Sequence, residues 1–203
     1  METETRDISK LADLMDPPGF RDLSKFHVTD LIHAVENFGK EVAPFNYDGL
    51  PQATKNIMSM GRIWEHLVLG DWIREGVKAG SVPVPKVTLE VDDVIGSLDG
   101  ALYAPGLHAD GTLGAADVVV EIKARFSPPN DDFPIGNRRY MRQCRAYCYM
   151  SGARKVWMPI LYLSTKPPNT QYLIHRFEFT DLEVEENWQM LMNMKEYLEK
   201  SKS

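Results

Sequence analysis

The stretch Val118-Val-Val-Glu121-Ile-Lys123-Ala124 limits this chain more than any other. Its β-branched and small apolar residues call for a buried strand, yet two opposite charges are set into it. Alternate residues of a strand share a face, so Glu121 and Lys123 point the same way with Cβ atoms about 7 Å apart. Val118, Val120, Ile122 and Ala124 take the other face. Charges in a buried strand are costly unless they are paired, hydrated in a cleft or bound to metal. An ion pair at a strand end explains these seven residues on their own. A metal site with a lysine beside it requires further carboxylates elsewhere.

At 203 residues, 43% of them hydrophobic and 26% charged, the chain suits one globular domain with helices around a sheet. Residues 1–50 are expected to form a lead-in and a helix, 52–163 the core of the domain, and 171–200 a closing strand and helix. The polar N-terminus and the lack of any run near 20 apolar residues predict a soluble, cytoplasmic protein with no membrane contact. Cys144 and Cys148, four apart in an expected helix, form no disulfide framework or metal-ligand set, which leaves packing as their role. A net charge of -6 excludes indiscriminate attraction to nucleic acid, although a local basic patch or a bound divalent cation would still allow it.

Along the chain, Asp16-Pro-Pro-Gly-Phe20 marks a turn, and Thr29 is expected to cap a helix from Asp30 to about Phe38, with Leu31, Ile32 and Val35 inward. Ile57, Met60, Trp64, Val68 and Trp72 make a helical stripe between about Gln52 and Lys78. Gly61, Glu65 and Leu69 form a row on that helix. Gly61 either leaves room for something next to Glu65 or simply permits close packing. Ser81-Val-Pro-Val-Pro85 should break the helix, and Lys86–Val91 and Val94–Tyr103 should form a hairpin about Asp92-Asp93. On its second strand Ile95, Ser97, Asp99 and Ala101 are expected on one face, and Val94, Leu98 and Leu102 on the other. Asp99 lies between Gly96 and Gly100, which loosen the strand where a ligand or another backbone can approach.

Pro105–Asp117 and Ser127–Asp132 are expected loops, the second a mobile one. A helix from about Asn137 to Met150 puts Gln143 and Tyr147 on one face, with a basic stripe of Arg138, Arg142 and Arg145 beside them. Val156–Leu163 is expected as a central strand and Gln171–Phe179 as an outer one. Thr180-Asp-Leu-Glu183 has the form of a capping box for a last helix, with Met190, Met194 and Leu198 inward.

A helix with Glu65, a strand with Asp99, a strand with Glu121-Ile122-Lys123 and a helix with Gln143-Cys-Arg-Ala-Tyr147 follow one another in an order that resembles the PD-(D/E)XK nuclease superfamily. Within it the chain looks like the RecB-like exonuclease branch, in which a Gln-x-x-x-Tyr motif follows the catalytic strand. The resemblance spans residues 55–163. It departs from the common pattern in having Glu65 where that branch often has His, although His66 is adjacent, and Leu98-Asp99 in place of the Pro-Asp pair.

The resemblance implies an α/β (α+β) fold, a central mixed β-sheet flanked by helices, with a restriction-endonuclease-like core. It implies DNA as substrate and Mg²⁺, or Mn²⁺, as cofactor. Asp99, Glu121, the Ile122 carbonyl and Glu65 become the expected metal ligands, with His66 the alternative to Glu65. Lys123 becomes the catalytic lysine, and Gln143 and Tyr147 positioning groups. Arg125, Arg138, Arg139, Arg142 and Arg145 are expected at the phosphate backbone. Oxygen ligands of this kind suit Mg²⁺, which keeps several waters.

The leading expectation is a Mg²⁺-dependent DNA exonuclease of recombination, repair or bacteriophage DNA metabolism. A single-strand annealing or other recombination protein would be its partner, and an oligomer is compatible with it. The motif does not encode whether a DNA end is required, so a structure-specific endonuclease stays open. So does a non-catalytic nucleic-acid-binding subunit on the same fold. No phosphate-binding Gly-rich loop is present for ATP.

Overall fold

The computed structural model describes residues 24–40, 49, 51–105, 114–125, 133–163 and 171–201. The Asp16–Phe20 turn, the Ser127–Asp132 loop and most of the Pro105–Asp117 connection lie outside them. In chain order the elements are β1 (Phe26–His27), α1 (Val28–Glu36), α2 (Gln52–Lys78), β2 (Val82–Val91), β3 (Val94–Tyr103), β4 (Ala116–Val120), β5 (Lys123–Arg125), α3 (Arg138–Ser151), β6 (Lys155–Tyr162), β7 (Gln171–Glu178) and α4 (Asp181–Lys200). The described strands form one mixed sheet flanked by helices, as expected. No helix among the described residues is long and apolar enough to cross a membrane.

Asp92 and Asp93 both take positive φ (52° and 59°), the two-residue turn that suits a right-twisted hairpin. It sets the β2–β3 register from Val91↔Val94 out to Val82↔Tyr103. Helix α4 clamps the turn, with Trp188 Nε1 donating to Asp92 at 2.9 Å and the Lys195 ammonium to the Asp92 carbonyl at 2.7 Å. Strand β2 begins earlier than the prolines suggested. Its one partner is β3, and an edge strand can place Pro83 and Pro85 where no ladder N–H is needed. The helix break falls instead at Gly80 (φ 79°). Helix α1 also starts earlier than expected, at Val28 behind an N-cap His27 that makes no side-chain cap, so Thr29 lies within the helix.

The two faces of the sheet carry separate cores. Val68 and Trp72 of α2 pack with Leu102, Val118, Val120 and Ile122 on one face. Helices α1, α3 and α4 cover the other through Leu31, Ile32, Cys144, Tyr147, Val184, Trp188 and Leu191. A buried side chain of this size contributes about 1.5–3 kcal/mol. Cys144 and Cys148 are buried and free, in the packing role expected of them.

The expected alternation along β3 fails at one point. Val94 and Leu98 belong to the same core as Ala101, whereas Leu102 belongs to the other. The facing of β3 therefore switches between Leu98 and Ala101. On β2 the partners Val84 and Val87, three apart, likewise pack against one core. The switch is centred on Lys86, with φ 56°, and on Asp99, which would oppose it; their pair is missing from a ladder that otherwise keeps register.

Candidate functional site

The site grows out of how β3 and β4 part. Their ladder runs from Tyr103↔Ala116, through a register shift at Leu102/Tyr103, to Gly100↔Val120 and stops. One residue further, the Glu121 N–H donates to the Trp157 carbonyl of β6 at 3.0 Å. The next N–H, that of Ile122, points back towards β3, where the ladder has ended. A buried N–H needs a partner. The Asp99 side chain supplies it, accepting from Ile122 at 2.7 Å through Oδ2. The expected single strand is thus interrupted at Glu121-Ile122, and its β5 part resumes in unbroken register on β6, Val120↔Trp157 followed by Lys123↔Ile160.

This parting gathers three carboxylates. Glu121 is 2% exposed. Its Oε1 pairs with the Lys123 ammonium, and its Oε2 is buried with no hydrogen-bond partner among the described residues. Asp99, held through Oδ2 by the Ile122 amide, turns Oδ1 to the Lys86 ammonium at 3.4 Å. The same ammonium lies 2.5 Å from Glu65 Oε2. A Cβ on Gly61 would meet no described atom within 4 Å. The His66 side chain lies outside the described ones, as do those of Ile57, Met60 and Leu69.

Helix α3 closes the site from the other side. The Gln143 amide donates to the Tyr147 hydroxyl at 3.0 Å, and Tyr147 is 2% exposed. Lys123 Nζ lies 5.2 Å from the centre of the Tyr140 ring, a favourable cation–aromatic contact.

Fully ionised, three carboxylates against two ammoniums would leave one negative charge over in a poorly hydrated place, and a proton held on Glu121 offsets it. Burial, with Asp99 and Glu65 adding to it, pushes the Glu121 carboxyl up to about 8 despite the opposing Lys123. Burial also raises Glu65, with Asp99 beside it. Burial works against the Lys123 ammonium, but Glu121 and Asp99 outweigh it and hold the group above the usual lysine range. Burial and the nearby Glu121 raise the Tyr147 phenol above its ordinary value. A surplus negative charge with an unpartnered carboxylate oxygen is a cation-seeking arrangement.

A divalent metal fits that donor set. Glu121 offers its orphan oxygen, Asp99 lies on the adjoining strand, and the Ile122 carbonyl belongs to the same peptide segment. Among the described residues no three acidic, His or Cys side chains converge as a metal-ligand group.

The expected arginines divide into two groups. Arg125, Arg138 and Arg139 line one open pocket of about 410 Å³ with Glu36, Phe133, Gly136 and Asn137. Arg125 stacks over Phe133 at 3.8 Å. The other two are engaged in holding helices together. Arg142 pairs with Glu36 of α1, and Arg145 pairs with Glu183 of α4 at 3.0 Å while lying over Phe179.

Lys86 is the site residue that motif reasoning passed over. The two-residue turn at Asp92-Asp93 already carried the signal, because pairing Val91 with Val94 places Lys86 across from Asp99. Tyr140 was also missed, and its sequence position one turn before Cys144 offers no comparable signal.

Comparison with known proteins adds the fold. The alkaline exonuclease LHK-Exo of Laribacter hongkongensis, in its complex with dAMP, aligns with a TM-score of 0.51 at 17% identity, covering 95% of this chain and 87% of its own. What they share is the fold. A phage-related exonuclease from Haemophilus somnus 129PT aligns at a TM-score of 0.46 and 10% identity, covering 96% of this chain and 95% of its own. No protein-family model matches the chain, and no curated protein does.

Proposed function

We propose that this protein is a metal-dependent deoxyribonuclease that degrades DNA from an end, with Asp99 and Glu121 as metal ligands and Lys123 as its catalytic lysine. The observation that carries the reading is the Glu121 carboxylate, buried, paired on one oxygen with Lys123 and unpartnered on the other, next to an Asp99 fixed by the Ile122 amide. An alkaline exonuclease has the same fold, which lends the reading a precedent.

Hydrolysis of a phosphodiester joins a water oxygen to phosphorus and breaks one P–O ester bond, and the departing oxygen takes up a proton. Glu121, Asp99 and the Ile122 carbonyl would hold a Mg²⁺ ion, whose chemistry there would be Lewis-acid polarisation of the phosphoryl group and acidification of water. Lys123 stays an ammonium beside two carboxylates, so it donates hydrogen bonds and positive charge to the phosphorane rather than accepting a proton. Tyr140 and the Gln143–Tyr147 pair hold that ammonium and its surroundings in place. The Ile122 main-chain N–H, a donor fixed by the backbone, keeps the Asp99 carboxylate aimed. Arg125, Arg138 and Arg139 would receive the DNA backbone in their pocket, giving an acidic protein a local phosphate site.

A role in recombination, repair or phage DNA metabolism, beside a single-strand annealing protein, belongs to the same proposal. The test uses linear and covalently closed circular duplexes incubated with Mg²⁺. Loss of the linear form alone is expected. Loss of both at equal rates would replace the exonuclease by an endonuclease, and loss of neither would leave a binding subunit.

A further inference from the structure

Lys86 carries an inference of its own. At φ 56° it holds a left-handed backbone that strains a side-chain-bearing residue and that glycine or asparagine takes more readily. Ladder pairs on either side, Pro85↔Gly100 and Val87↔Leu98, pin it there, across from Asp99. Although its side chain is 64% exposed, its Nζ reaches both Glu65, at 2.5 Å, and Asp99, at 3.4 Å. Those two contacts place a positive charge between the helix carboxylate and the strand carboxylate. Glu65 is thereby turned to an ammonium, while the carboxylate oxygen of the cluster that has no hydrogen-bond partner among the described residues belongs to Glu121.

We propose that Lys86 is a built-in cation that fills the Glu65–Asp99 side of the cluster, so that this centre binds one divalent ion, at Glu121 and Asp99, and not two. The inference rests on the metal-dependent reading above and specifies its stoichiometry. Charge supports it. With Lys86 in place and the Glu121 proton displaced by the ion, the three carboxylates and two ammoniums have one negative charge over, which a single divalent ion already more than offsets. A second ion would bring three positive charges into the same space before any phosphate arrives. Without Lys86 the surplus is two, and Glu65 is released to act as a ligand.

Mn²⁺ bound per chain, counted from the free-ion electron paramagnetic resonance signal, tests this without using activity. The variants are Lys86→Gly and Lys86→Asn, both suited to a left-handed φ, with thermal melting to confirm that each folds. Wild type should take up one Mn²⁺, and each variant two, with the broadened spectrum of a neighbouring pair of ions. Adding Glu65→Gln to Lys86→Gly should return the count to one. Two ions in wild type, or an unchanged count of one in both variants, would overturn the inference and leave the nuclease reading intact. One ion in wild type and two in the variants, with no DNA cleavage by wild type, would uphold the stoichiometry and remove the nuclease reading. No bound ion in wild type would remove both.

Discussion

Glu121→Gln isolates the effect of burying a carboxylate whose second oxygen has no partner. Folded, this carboxyl is pushed up to about 8 by burial, against 4.5 as its ordinary value. Between those values the native state holds a proton that the unfolded chain has released. Stability then falls as pH rises: the Glu121 contribution is fully present below about pH 4.5 and lost progressively through about pH 8. One proton corresponds to about 1.4 kcal/mol per pH unit at most, so urea unfolding at about pH 5, 6, 7 and 8 resolves it. Glu65, also raised, adds in the same direction. Lys123 adds no slope in this window, because with a raised value it stays protonated in both states until the pH nears the ordinary lysine range. Glu121→Gln keeps the shape, removes the titration and should flatten most of the slope. Saturating Ca²⁺ should flatten it in wild type by replacing the proton, so that metal stabilisation grows with pH. A wild-type slope no steeper than that of Glu121→Gln would show that Glu121 is ionised throughout, and the charge argument for the site would fail.

The two groups of arginines should separate experimentally. Arg138→Ala or Arg139→Ala should weaken DNA binding across sequences and lower the salt slope by about 1 each in fluorescence-anisotropy titrations, with melting unchanged. Arg142→Ala and Arg145→Ala should instead lower stability, by about 1 kcal/mol in urea, through the lost pairs to Glu36 and Glu183. Gly100→Ala would put a Cβ 2.5 Å from Trp72 Cη2, and a destabilisation of about 1–3 kcal/mol is expected in thermal melts. Tyr147→Phe removes the acceptor of the Gln143 amide and should cost about 1 kcal/mol, measured by the same urea series.

What could be read from the sequence was what local chemistry specifies. Asp92-Asp93 announced its turn because both positions need positive φ, and Thr180 with Glu183 announced a capping box in which each side chain bonds the other's backbone N–H. Glu121 and Lys123 could be placed on one face because a strand alternates, and Val118, Val120 and Ile122 do pack on the other. Alternation misled where the backbone broke it. The switch at Lys86 and Asp99 moves Leu102 to the core opposite Leu98, and a lysine at left-handed φ has no compositional mark. The pairing of Arg142 with Glu36 and of Arg145 with Glu183 could not be read from the sequence, because these partners are remote in it. The bond from the Ile122 amide to Asp99 was likewise invisible, since it depends on where two strands part.

The most direct test of the central claim is release of acid-soluble nucleotide from a labelled linear duplex by wild type, Lys123→Ala and Glu121→Gln, with Mg²⁺ and with a chelator. The account predicts release by wild type that the chelator abolishes, and a loss of about 10²–10³-fold in each variant. Equal release by all three proteins would show that the cluster at Asp99, Glu121 and Lys123 does not carry out the reaction.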